Sequence, residues 1–170
     1  MSKENFNKHE ALHDDPDFYF DENNFSTVIL HSEDFHHKHM DEIKNLSDLI
    51  ISGKREDKDL ALQILKKEDG RDLLLSAIAN KNNKEHRALL IAACWESGLD
   101  FSNYLELFVL LILTGAYYEC LEAVTVLEQM ESKLPEETRL LAVKKLEEAL
   151  ITHCEKSYLY AQALEVLNKV

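Results

Sequence analysis

From Ser32 to the C-terminus, apolar side chains recur every three or four residues, and the breaks in that period fall at Gly53, Gly70, Asn82, Gly98, Gly115, Pro135 and Ser157. Such a period lays one side of an α-helix against a core, whereas a half-buried strand needs strict alternation. The segments between the breaks therefore predict eight helices. The first, over about 33–52, carries Phe35, His39, Ile43, Leu46 and Ile50 on one face and stops at Gly53. The second spans about 56–67, closed by Gly70, and the third about 71–80. The fourth starts at Asn82, with Glu85 three residues later as a capping-box signal, and runs to Ser97 before Gly98. Asp100 is placed to cap the fifth, over about 101–113. That helix is apolar nearly all round and should lie at the centre of the core. The sixth covers about 116–131. The seventh starts at Pro135 with Glu136 and Glu137 against the helix dipole and reaches Cys154. Ser157 is placed to cap the eighth. With four glycines and two prolines among 170 residues, a turn-rich β-sandwich or a collagen is excluded, and an all-α domain over 32–170 remains.

Alternate helices repeat one short pattern. Residues 60–65 read LALQIL, 87–92 RALLIA, 122–127 EAVTVL and 162–167 QALEVL. The aligned alanines are Ala61, Ala88, Ala123 and Ala163, at spacings of 27, 35 and 40 residues. Each lies near a large apolar residue of its own helical face, so a neighbouring helix can approach closely there. The same face on helices two, four, six and eight implies a stack of helix pairs. Over about 40–170 the pattern resembles the HEAT and armadillo-type α-solenoids, although the repeat is irregular. The resemblance implies antiparallel helix pairs wound into a right-handed superhelix, and a surface that holds a protein partner rather than a catalytic centre. An irregular helical bundle is the other architecture that such short apolar patterns can form.

Charge is unevenly placed. Of the net −13, residues 1–42 contribute −8 and residues 88–132 contribute −7, the latter without one lysine or arginine. Residues 54–87 carry +2, with Lys54, Arg55, Lys58, Lys66, Lys67 and Arg71 interleaved with acids, as on a solvated, ion-paired helix. An acidic chain without a basic patch argues against nucleic acid or an anionic membrane as the main partner. It is suited instead to a protein partner with a basic surface. Glu96, Asp100, Glu119 and Glu122 are the candidate contact residues. Trp95, in the corner between helices four and five, is expected to pack. The bland alternative is that residues 88–132 are mostly buried and their acids ordinary solvated positions.

Residues 1–31 lack helical period and combine seven of the acids with Phe18, Tyr19, Phe20 and Phe25. They read as an extended or partly disordered acidic tail, one able to dock on its own domain or on a neighbouring copy. The start of the chain has neither the basic, apolar pattern of a secretory signal nor the acid-poor composition of a transit peptide. The longest apolar run, Leu107–Leu113, is far short of a membrane span. Cys94, Cys120 and Cys154 sit in apolar helical contexts, which reads as reduced, buried thiols and a cytoplasmic address.

Two strings carry metal chemistry on paper. His9-Glu10-Ala11-Leu12-His13 matches H-E-x-x-H, which on a helix places two imidazoles for Zn²⁺ with a glutamate as general base. Asp14, Asp15 and Pro16 end any such helix at once, and no third ligand pattern follows. His31, His36, His37 and His39 cluster before and within the first helix, where His36 and His39 have chelating spacing but no thiolate to close a tetrahedral site. No P-loop, nucleophile elbow or glycine-rich dinucleotide turn is present in the sequence. No catalytic residue, cofactor or metal is assigned. The expected function is a non-catalytic protein–protein interaction module, a small acidic adaptor or scaffold. The alternatives are a metal-dependent hydrolase built on the H-E-x-x-H string, and a purely structural homodimer.

Overall fold

The computed structural model describes residues 38–67, 70–130, 134–152 and 154–169, with no strand among them. Eight α-helices follow in order: α1 (Met40–Ile51), α2 (Arg55–Leu65), α3 (Gly70–Ala79), α4 (Arg87–Glu96), α5 (Leu105–Thr114), α6 (Tyr117–Glu128), α7 (Glu136–Thr152) and α8 (Ser157–Lys169). Short 3₁₀ segments at Lys81–His86, Ser102–Tyr104 and Cys154–Lys156 lead into α4, α5 and α8. Among the described residues, the number and order of helices are those the apolar period predicts. Among the described residues, no helix is long and apolar enough to cross a membrane. The tail 1–31, with its aromatics, lies outside the described residues, as do Phe35 and the Cys154 side chain.

The helix ends follow local chemistry. Gly53 and Gly98 adopt φ of 68° and 67°, the left-handed conformation in which glycine escapes a steric penalty, and they end α1 and α4. Asp100 accepts hydrogen bonds from both the backbone N–H and the hydroxyl of Ser102, capping the turn that opens α5. Two expectations are corrected. Gly70 begins α3 instead of closing α2, and a Cβ there would fall 2.0 Å from the Leu65 carbonyl oxygen, so the close approach of the two helices requires glycine. The start expected at Asn82 is a 3₁₀ segment, and α4 begins only at Arg87. The reason is competition from side chains. Asn80 caps the N–H of Asn82 at 3.0 Å, and the Asn83 amide donates to the Ser47 hydroxyl at 3.0 Å and the Ala77 carbonyl at 2.9 Å. These bonds hold the backbone to α1 and α3 and delay the α-helical turn.

Each even helix packs on the odd helix before it, and α1 packs on α3, α5 on α7, α4 on α6, and α6 on α8. As the sequence predicts, α5 is buried on most sides, with Leu105, Leu107, Phe108, Val109, Leu111 and Ile112 all in the core. It packs against α6, α7 and α8. The repeated alanines separate into two kinds. Ala61, Ala123 and Ala163 are fully buried, as close helix approach demands. Ala88 is only partly buried, and the small residues that α4 commits to the core are Ala93 and Cys94. Enlarging a close-approach position forces the neighbouring helix away. Ala123→Leu and Ala163→Leu should each cost roughly 1–3 kcal/mol. Ala88→Leu should stay within about 0.5 kcal/mol. Urea unfolding of the three variants measures this, and an equal cost at all three positions would remove the distinction.

Candidate functional site

The four candidate acids meet four different fates. Glu96 accepts from the Lys58 ammonium at 2.6 Å, joining α4 to α2. Asp100 is engaged as the cap of Ser102, and its carbonyl takes the Arg71 guanidinium at 2.9 Å. Glu122 accepts the Trp95 indole N–H at 2.8 Å, joining α6 to α4. Trp95 therefore packs only in part: its N–H is satisfied by a carboxylate while 37% of the residue stays exposed. Glu119 is 7% exposed.

Glu119 lies where the chain turns from α5 into α6. One of its oxygens accepts the Ala116 N–H at 3.0 Å, capping α6, and the other faces the Arg87 guanidinium at 3.6 Å. The alanine at that cap has no side-chain acceptor to give in return, so this is half of a capping box. Gly115 makes the room: a Cβ there would come within 2.9 Å of the Glu119 side chain and 2.5 Å of the Leu111 carbonyl oxygen. Arg87 in turn donates from Nε to the Ile78 carbonyl at the end of α3.

Other cations are used in the same way. Lys156 donates to the carbonyls of Ile112, Leu113 and Gly115 at 3.0–3.3 Å, neutralising the negative end of α5, and sits over the Tyr160 ring. Arg139 caps the Leu167 carbonyl in α8 at 3.0 Å. Positive charge is thereby turned toward helix ends, and acids such as Glu106 and Glu128 face solvent.

A line of side-chain contacts joins the even helices on one side: Lys58 to Glu96, Trp95 to Glu122, Tyr117 to Tyr158, and Gln162 to Glu128 at 2.7 Å. Sequence reasoning put its weight on the Trp95 corner and missed the Tyr117, Tyr118 and Tyr158 group farther along this line. The aligned repeat carried the signal, because Tyr118 and Tyr158 each stand five residues before the repeated alanine. Beside Lys58 and Glu96 a cleft of about 150 Å³ opens between α1, α2 and α4, walled by Ala61, Leu62, Leu65, Leu89, Ala92 and Ala93.

Among the described residues no three His, Cys, Asp or Glu side chains come together as a metal site. His39 is described, with Nδ1 2.7 Å from a Glu42 oxygen. The His9–His13 string and His31, His36 and His37 lie outside the described residues. Cys94 and Cys120 are buried free thiols, as the sequence predicts. Burial pushes the Cys94 thiol far up, and pushes Cys120 from 9.0 to about 11 despite the opposing charge of Lys156. Neither has the lowered pKa of a nucleophile. No known protein family, curated protein or solved structure matches this chain.

Two tests follow. Glu119→Ala takes the facing carboxylate away from the Arg87 guanidinium in a nearly buried place and removes a cap, at a cost of about 3 kcal/mol or more. Glu122→Ala, at the surface, should cost about 1 kcal/mol or less. Comparable losses for the two in urea titrations would show that Glu119 is not a structural acid. The Cys120 thiol binds its proton more tightly folded than unfolded. Its contribution to stability is therefore complete below about pH 9 and is lost as pH rises through about 11. Thermal unfolding of Cys120→Ala against the parent should show a shallower alkaline decline, and identical slopes would reject this.

Proposed function

We propose that the chain is a non-catalytic protein-interaction module of the HEAT or armadillo-type α-solenoid kind. In this reading its helix pairs run antiparallel in a short right-handed superhelix, and the outer side of the even helices holds a protein partner with a basic surface. Cytoplasmic residence accords with its buried free thiols. One observation carries the reading: the even helices share a side linked by Lys58–Glu96, Trp95–Glu122 and Gln162–Glu128, where Lys58 is ion-paired and Lys156 and Arg139 are turned into helix ends. Such a face steers a basic partner, and Lys58, the cation on it, is already paired with Glu96. Of the candidate contacts, Glu96, Asp100 and Glu122 remain partly accessible. Glu119 supports the helices beneath, so a binding test must leave it untouched.

Full-length protein and a Glu96→Lys/Glu122→Lys double variant, immobilised side by side, should differ in what they capture from native-host lysate. The parent is expected to retain a basic protein that high salt releases, and the double variant to lose most of it. Equal recovery by both would remove the acidic-face reading. A second reading, a homodimer, is favoured by α7, which leaves Leu140, Leu141 and Ile151 exposed. Solution mass over a range of concentrations decides it.

A further inference from the structure

The far end of the even-helix side is aromatic. Tyr117 and Tyr118 open α6, and Tyr158 stands at the start of α8. The Tyr117 and Tyr158 hydroxyls are hydrogen-bonded to each other, with ring centroids 6.3 Å apart at 45°. The Tyr117 and Tyr118 rings meet edge to face at 5.4 Å and 86°. About half or more of each residue is nonetheless exposed: 46% of Tyr117, 68% of Tyr118 and 51% of Tyr158. Isolated exposed aromatics are ordinary, but Tyr117 in contact with both Tyr118 and Tyr158 makes a continuous patch. Their contacts also hold them in place before a partner arrives, which lowers the entropy lost on binding.

The charges around the patch point one way. Glu122 lies one helical turn beyond Tyr118, and exposed Glu155 stands two residues before the start of α8. From Ala88 to Ser132 the chain has no lysine or arginine. The nearby cation, Lys156, directs its ammonium inward to the carbonyls that end α5. A positive group reaching the rings therefore finds π faces and carboxylates, and no competing cation in the same sequence stretch. Arginine and lysine differ at such a place. The planar guanidinium stacks on an aromatic face and sheds water readily, while the ammonium is compact and strongly hydrated.

We propose that Tyr117, Tyr118 and Tyr158 form the docking point for an arginine side chain of a basic protein segment, so that this face selects arginine over lysine. The proposal rests on the reading of the even-helix side as a protein-binding surface, and the test separates the two. Two fluorescein-labelled peptides, identical except for arginine or lysine at every basic position, are titrated with the full chain by fluorescence anisotropy at about 0.15 M salt. The arginine peptide should bind more tightly by a factor of about three. Tyr118→Ala, at the most exposed ring, should abolish that preference, whereas a Tyr117→Phe/Tyr158→Phe variant, which keeps the ring faces, should retain it. Glu122→Gln should weaken both peptides alike. If the parent binds both peptides equally and Glu122→Gln weakens both, arginine selection is wrong and the acidic face stands. If the preference survives in Tyr118→Ala, the tyrosine corner is not its source and the proposal falls. If neither peptide binds, both readings fall.

Discussion

The turn from α5 into α6 concentrates the polar interactions on which the rest of the molecule depends. Gly115 lends its carbonyl to Lys156 and, by lacking a side chain, gives Glu119 room to fold back. Glu119 caps α6 with one oxygen and faces Arg87 with the other, and Arg87 reaches on to the last turn of α3. One small cluster therefore ties the end of α3, the start of α4, the α5–α6 turn and the start of α8. Apolar burial supplies most of the driving force for packing helices, but it is non-directional and tolerates sliding. Hydrogen-bonded charges at helix ends are directional, and leaving one of them unpaired is costly. The cluster consequently fixes where these helices stop relative to one another.

The same arrangement shapes the outer surface. A helix ends in carbonyl groups without intrahelical partners, and a cation placed there offsets both the missing hydrogen bonds and the dipole. Lys156, Arg87 and Arg139 are used in this way. With those cations drawn inward, the outer side of α4 and α6 keeps an acidic character stronger than the net charge alone implies. The basic-poor stretch is accordingly neither simply buried nor simply an acidic face. Part of it, Glu119, belongs to the interior, while Glu122 and Glu128 belong to the surface.

Much of the fold was legible in the sequence. The order of eight helices, the burial of α5 on most sides, the hydrogen bonds of Asp100 and the burial of Cys94 and Cys120 are all written in short-range patterns. The start of α4 was not, because Asn83 takes its partners from α1 and α3, and no local rule anticipates bonds to Ser47. The candidate site was legible only in outline. Composition marked the region, but Glu119 and Glu122, three residues apart, look alike in sequence, while the first is buried and the second remains partly accessible. Trp95 was visible as a corner residue, while its bond to Glu122 spans 27 residues.

What the sequence determined by itself is the set of helices, their order and the apolar side of each. Those depend on residues three or four apart, and a 3.6-residue turn brings such residues together in any helix. The tertiary structure decided which cation caps which helix, which acid is enclosed, and that Tyr117 meets Tyr158. Trp95–Glu122, Tyr117–Tyr158 and the bonds of Lys156 to α5 join residues 27 to 44 positions apart. Their partners are chosen by how whole helices stack, and no local period encodes that choice.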